Sequence, residues 1–454
     1  MAAMRMKTRM LPLGCGLACA LMLASPLTAQ QPANDLAQTA AKEYDFFTAS
    51  FGELNSGALN LDEVPDETLP SVWVPDLAAI PASLVADDSG IRLLAYTIAR
   101  QWWGVEVSPR TLNDAWITNG MARYAELMYV EHESGANALQ AELQDVAAGA
   151  LACDTVPLSS AGSLSPSSPE FQSMTMEKGA MIFHMLRWEI GDKAFLATLR
   201  AALSQYAGGS IRAADFEKLA EAESQQPLTA FFALWVDGIG APHFSNNYAV
   251  YRLGNNKGFR TTGQIVQGLD LFRMPVELSI ETDGKTETRK IEIVGRETQF
   301  SMETFGRPRR ISIDPRNWVL KSTPGLQARV DLLKGRQLAA EGDLTAALAE
   351  YQKALEANPR SSLANFRIGE LLFRQRNYPA SVNAYRDALG GDGEPRWTEV
   401  WSHIALGKIF DLTGQRNRAV NEYQLAVQTS DNTRGALDEA RLYLQKPFQR
   451  PENE

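Results

Sequence analysis

The chain has 454 residues, 45% of them hydrophobic and 22% charged, a globular composition too long for one ordinary domain. A formal net charge of −10 argues against general binding to nucleic acid or to an anionic membrane surface. Two of the three cysteines fall in the first twenty residues, so a chain trimmed of its leader keeps only Cys153 and must rely on its core rather than on a disulfide.

Residues 1–29 read as a signal peptide: a cationic start (MAAMRMKTRM), an apolar run (LPLGCGLACALMLA) and a small, polar close (SPLTAQQ) with the cut near Ala29. The run is too short and too rich in glycine to span a bilayer as a stable helix. Export to the periplasm or beyond follows, with no integral span after cleavage. Lipid attachment at Cys15 or Cys19 is the alternative, against which the preceding PLG and GLA lack the expected Leu. Cys153 reads as a small apolar side chain, since no pattern pairs it with a histidine.

Residues 33–246 place apolar side chains at helical spacing in KEYDFFTASFGELN, SGIRLLAYTIARQWWG, NGMARYAELMYVEHESG and EKGAMIFHMLRWEIGDKAFLATLRAAL. The Ser/Pro-rich stretch 153–170 between them predicts a mobile loop. Residues 247–322 then alternate apolar and polar positions in PVELSIET, TRKIEIVG, TQFSMET and RRISIDP, which predicts a small antiparallel β-sandwich domain. The expected fold class is multidomain and mainly α, with a helical stack at the C-terminal end.

That stack, over 326–446, repeats itself. Gly335, Gly369 and Gly407 are followed twelve residues on by Ala347, Ser381 and Ala419, then by Tyr351, Tyr385 and Tyr423, then by Ala354, Ala388 and Ala426. The first interval is 34 residues, and Pro359 closes the first repeat. This set is similar to the tetratricopeptide pattern, and three repeats with a capping helix meet the minimum for a stable stack. The resemblance implies a concave face presenting Arg329, Leu332, Arg336, Phe366, Arg367, Glu370, Phe373, Arg374, Trp401 and Lys408. A protein or peptide partner is expected there; the cations suit an acidic one, unless they form only a solvated basic face.

The stretch AYTIARQWWG, residues 95–104, has the frame of a metal-binding helix without its ligands. With WITNGMARYAE and TMEKGAMIFHMLRWEIGDKAF it resembles, over roughly residues 40–320, the aminopeptidase N family of gluzincin zinc peptidases. That family carries HExxHQWxG, a gap of eighteen residues and a third ligand, Glu. Ala99, Gln101, Trp102 and Gly104 match the first helix, Trp116, Gly120, Ala122, Tyr124 and Glu126 the second, and Glu177, Lys178, Gly179 and Ala180 the third. The functional positions differ. The resemblance puts Tyr96 and Arg100 at the two His ligands, Thr97 at the general base, Asn119 at the Glu ligand and Met176 at the oxyanion Tyr. A guanidinium keeps its proton and repels a divalent cation, and neither Thr nor Asn supplies a carboxylate. The family's amine-anchoring G-x-M-E-N strand is also missing. Asp62, Glu63, Asp66 and Glu67 occupy that region as a solvated acidic loop.

No two of His132, His184, His243 and His403 lie three or four apart, and no G-x-S-x-G elbow occurs. His184 is expected in the core or at its rim. The expected protein is therefore an exported pseudoenzyme, with no metal or other cofactor, acting as an interaction scaffold. A hydrolase working through a non-standard or partner-completed site is one alternative. Another is a non-hydrolytic groove lined by Trp102, Trp103 and Trp116. Arg100, if buried, needs an acid, and Asp114, Glu126 and Glu177 are its candidate partners.

Overall fold

The computed structural model describes residues 30–55, 59–64, 72–81, 88–254 and 257–450. The predicted signal with Cys15 and Cys19, and Asp66 and Glu67 of the acidic stretch, lie outside the described residues. The chain divides into two compact units, Met1–Ser322 and Thr323–Glu454.

The first unit opens with α1 (Gln30–Phe51), whose stripe Leu36, Ala40, Glu43, Phe47 and Phe51 is buried at helical spacing. Strands β1 (Asn60–Val64), β2 (Val72–Val74) and β3 (Leu77–Pro81) form a sheet in the order β1-β3-β2, with β1 parallel to β3 and β2 antiparallel to it. Helix α2 (Asp88–Ala99) follows, then β4 (Val107–Pro109), α3 (Ala115–Ser134) and α4 (Ala136–Ala152). A short α5 (Pro169–Gln172), a π-helical turn Ser173–Lys178 and α6 (Gly179–Ile190) run on continuously. Next come α7 (Asp192–Tyr206), β5 (Gly209–Ile211) paired parallel with β4, α8 (Ala213–Ser224) and α9 (Thr229–Trp235).

Two glycines set the geometry of this helical part. A β-carbon on Gly120 would stand 2.6 Å from the Gly179 backbone, and one on Gly179 would stand 2.9 Å from Gly120 Cα. Only a pair of glycines lets α3 and α6 approach backbone to backbone in this way. The helices α6 and α7 are divided at Gly191, whose φ of 84° suits glycine and whose N–H returns to Arg187 O.

Strands β6 (Ser245–Arg252), β7 (Phe259–Val266), β8 (Arg273–Thr282), β9 (Thr286–Val294), β10 (Glu297–Thr304) and β11 (Pro308–Ile313) make two antiparallel sheets, ordered β10-β7-β6 and β11-β8-β9. They were expected as a separate domain over 247–322. They belong instead to the same compact unit as the helices. The reason is burial: Met274 to Ile280 of β8 are covered without alternation, and Trp188 of α6 donates its indole N–H to Pro275 O at 2.8 Å. Trp318 stacks on both His184 and Trp188, at 5.0 and 4.8 Å. Sheet and helices thus share one core.

The stretch 153–170, expected to be mobile, is pinned. Lys178, itself buried, reaches Asp154 Oδ1 at 2.7 Å, while Asp154 Oδ2 accepts from Gly240 N at 2.6 Å. Within the stretch, Leu158 and Ala161 are buried.

The second unit is helical throughout its described residues. It contains α10 (Pro324–Glu341) with α11 (Leu344–Ala357), α12 (Ser362–Arg374) with α13 (Tyr378–Leu389), α14 (Trp397–Leu412) with α15 (Arg416–Gln428), and a final α16 (Ala436–Gln445). Thr323, Asp343, Ser361 and Asn377 cap four of these helices through their side-chain oxygens. In each pair a glycine of the first helix receives the ring of a tyrosine from the second: Gly335 with Tyr351, Gly369 with Tyr385 and Gly407 with Tyr423. A β-carbon on Gly369 would meet that ring at 2.8 Å. Among the described residues no helix is long and apolar enough to cross a membrane.

Candidate functional site

Four of the five positions singled out in the first unit converge. The Arg100 Nη1 donates to Asn119 Oδ1 at 2.6 Å, Asn119 Nδ2 donates to Thr175 Oγ1 at 3.0 Å, and the Tyr96 hydroxyl lies 4.0 Å from Met176 Sδ. Helices α2 and α3 and the π-helical turn each contribute. The turn's extra residue rotates Met176 and Glu177 relative to a regular helix, a distortion often found at functional positions. The fifth position, Thr97, points back along its own helix and donates to Leu93 O at 2.6 Å.

Arg100 sits one residue beyond α2, where the sequence pattern had continued the helix. The chain tightens there: Gln101 N bonds Ile98 O and Trp103 N bonds Ala99 O, before Gly104 turns away at φ +140°. Arg100 is only 7% exposed. The Trp73 ring covers one side, 4.6 Å from Cζ. Gly104 also lies against the guanidinium, where a β-carbon would stand 2.6–3.0 Å from Nη2, Cζ and Nε.

The expected ion pair of Arg100 does not form. Glu126 and Glu177 are both taken by Arg123, and Asp114 accepts from Thr111 N and Ala213 N. Arg123 lies one helical turn before Glu126 and faces Glu177 at 3.4 Å, so it reaches both acids first. Arg123 had no role in the sequence reading; its place between Asn119 and Glu126 on one face of α3 was the available signal. Burial lowers the pKa of Arg100, with only Tyr96 opposing it. Burial also works against the charge of Arg123, but Glu126 and Glu177 outweigh it and raise its pKa. Glu126 and Tyr96 are both pushed up, chiefly by burial.

Behind this cluster lies a residue the sequence reading passed over. Glu43 is fully buried, neither of its oxygens meets a hydrogen-bond partner, and burial together with Glu126 and Glu133 pushes its pKa to about 9.

The donor set does not fit zinc. The positions that would hold it present a phenol, a guanidinium and a carboxamide, and the nearby carboxylates are engaged by Arg123. Among the described residues no group of three or more His, Cys, Asp or Glu could hold a metal ion. His184 is buried, with Nδ1 3.1 Å from the Tyr124 hydroxyl and its pKa drawn down to about 3, mainly by burial. Nor do Trp102, Trp103 and Trp116 line a groove. All three are fully buried, Trp102 against Tyr44, Phe47 and Phe51, Trp116 against Phe183 and Phe216. The indoles of Trp102 and Trp103 fill the core because the turn after α2 folds inward onto Phe51 of α1.

In the second unit a groove of about 440 Å³ is lined by Arg336, Phe366, Arg367, Glu370, Phe373, Arg374, Trp401 and Lys408, together with Tyr351 and Tyr385. Arg329 is not among its lining residues, and Leu332 packs partly buried beside Ala347 and Tyr351. Several cations are committed internally: Arg367 to Glu370 at 2.6 Å, Lys408 to Glu439 at 2.5 Å, and Arg374 to Ala339 O at 3.1 Å. Arg336 has no ion-pair partner among the described residues.

Comparison with known proteins bears on the first unit. The chain is 21% identical over 317 residues to transcription initiation factor TFIID subunit 2 of Schizosaccharomyces pombe, covering 60% of this chain and 27% of that protein. It is 24% identical over 174 residues to tricorn protease-interacting factor F2 of Thermoplasma volcanium, covering 36% and 22%. The chain thus spans about a quarter of the length of these relatives. Its fold is similar to the crystal structure of Legionella pneumophila aminopeptidase A in complex with aspartic acid, with a TM-score of 0.56 and 15% identity over 92% of this chain and 58% of that one. Residues 81–235 match the profile of the Peptidase family M1 domain, and this part of the chain is related to the M1 aminopeptidases.

Proposed function

We propose that the chain is an exported, catalytically inactive relative of the zinc aminopeptidases that acts as an interaction scaffold. The observation carrying this reading is the Arg100 guanidinium, packed against Trp73 and Gly104 and bonded to Asn119, at the place where the family resemblance requires a metal ligand. A permanent cation there disfavours a divalent ion, and no carboxylate remains in position to act as base on a metal-bound water. A relative named as a transcription factor subunit supports the view that this fold is used outside peptidase chemistry.

The scaffold role rests on the second unit, read as tetratricopeptide repeats whose groove takes an extended, acidic peptide. Phe366, Phe373 and Trp401 supply apolar contact, and Arg336 supplies a cation without an internal acid. Two measurements test the proposal together. Zinc content and aminopeptidase activity are measured on the untagged mature chain after dialysis against excess zinc. No stoichiometric zinc and no turnover of aminoacyl anilides are expected; tightly bound zinc with turnover would overturn the reading.

A further inference from the structure

The second unit lays its own C-terminal segment along the rim of the groove. Arg416 donates to Tyr443 O and Leu444 O at 2.8 and 2.9 Å, and Phe448 N donates to the buried Asp411 carboxylate at 2.8 Å. The Phe448 ring meets that of Tyr443 at 5.3 Å and lies 5.2 Å from the Lys408 ammonium. Farther along, the Arg450 guanidinium covers Phe373 at 5.3 Å and donates to the Tyr378 hydroxyl at 3.4 Å. Lys408 and Phe373 both line the groove. The segment thus steps from the third helical pair, at α14, to the second, at α12 and α13.

The residues that come next carry the charge opposite to that of the groove. Pro451, Glu452, Asn453 and Glu454 follow Arg450 in the sequence and lie outside the described residues. The same heading leads to the first helical pair, where Arg336 has no ion-pair partner among the described residues. Arg374, next to Phe373, already bonds Ala339 O of α10, so the cations of the two pairs adjoin. Four extended residues reach at most about 14 Å. Arg450 has a buried Nε without a hydrogen-bond partner, and among the described residues no acid pairs with it.

We propose that residues 451–454 occupy this groove in cis, with Glu452 and Glu454 on its cations, so that the chain's own tail competes with an acidic peptide. The inference rests on the reading of the groove as a peptide site. A segment tethered this closely presents its acids at about millimolar effective concentration, so a contact of about 0.1 mM in trans weakens a competitor about tenfold.

The test is fluorescence anisotropy of a fluorescein-labelled hexaglutamate peptide titrated with the full chain, with Glu452→Gln/Glu454→Gln, and with that variant carrying Arg336→Glu as well. The glutamine variant should bind the probe about tenfold more tightly than the parent, and Arg336→Glu should remove that gain. Far-ultraviolet dichroism checks that all three fold alike. In a chain with Arg336→Lys, a carbodiimide should join the new amine at position 336 to Glu452 or Glu454 within one chain, read by peptide mapping of the monomer. Equal affinity of the parent and the glutamine variant overturns the inference and leaves the peptide reading of the groove standing. A gain in affinity without a link also overturns it, because two lost charges then act only through the general field. A link found only between two chains does so as well, since the occupant is then a second copy. No binding by any of the three proteins sinks the peptide reading and the inference with it.

Discussion

Replacing Glu43 by glutamine should change how the first unit's stability depends on pH. In the unfolded chain this carboxyl titrates near its ordinary value of 4.5, while in the fold burial, reinforced by Glu126 and Glu133, holds it near 9. Below the lower value both states are protonated and the group imposes no pH-dependent cost. Between the two values the unfolded state ionises and the folded state does not, so stability falls as pH rises, by about 1.4 kcal/mol per unit. From pH 5 to pH 7 the loss is about 3 kcal/mol from this residue alone. Glu43→Gln removes that slope and leaves a buried polar group of the same size. Urea unfolding of the parent and the variant, followed at several pH values from 5 to 8, should give curves that diverge as pH rises, with the variant gaining. The nearby Arg123, its pKa raised by Glu126 and Glu177, keeps its charge throughout this range and adds no slope of its own. Parallel curves would refute the reasoning, because a Glu43 already ionised in the fold would contribute no difference between the two proteins.

Gly120→Ala should lower the melting temperature by the equivalent of about 1–3 kcal/mol, since its β-carbon collides with the Gly179 backbone and two helix axes must separate to admit it. An unchanged melting temperature would show that α3 and α6 are not in contact there. Lys178→Met should cost about 3–5 kcal/mol in chemical denaturation by leaving Asp154 buried without its cation; a neutral result would mean that Asp154 is solvated. Arg336→Glu should weaken capture of an acidic peptide by the second unit about tenfold or more and leave its far-ultraviolet dichroism unchanged. Unchanged capture would remove this cation from the binding face.

The convergence of Tyr96, Arg100, Asn119 and Met176 was legible because an eighteen-residue gap and a glycine in each flanking helix constrain where those elements can meet. The partner of Arg100 was not. Which arginine captures Glu126 and Glu177 depends on a contact between α3 and the π-helical turn, and no single-helix pattern encodes it. Glu43 was readable in principle, since it falls between Ala40 and Phe47 on the apolar stripe of α1, but a charged residue on such a stripe gives no pattern signal of its own. Strands β6 and β7 escaped notice for the opposite reason. Every described residue of β6 is exposed, so SNNYAVYR lacks the buried alternation by which strands are found. The three tryptophans of the turn and α3 were misplaced because an aromatic at helical spacing reads the same whether it lines a groove or fills a core.

The glycine–tyrosine contacts of the second unit have a kinetic consequence. Each closes between two helices separated in the chain by a short turn, sixteen residues from Gly335 to Tyr351 and again from Gly369 to Tyr385. Native contacts there form between near neighbours, and a unit of low contact order folds quickly. The first unit must instead join β4 to β5 across about a hundred residues, Val107 to Gly209, before that two-stranded sheet exists. As the chain leaves the ribosome, the late-made helical pairs can therefore be complete while the earlier-made unit is still searching for its register.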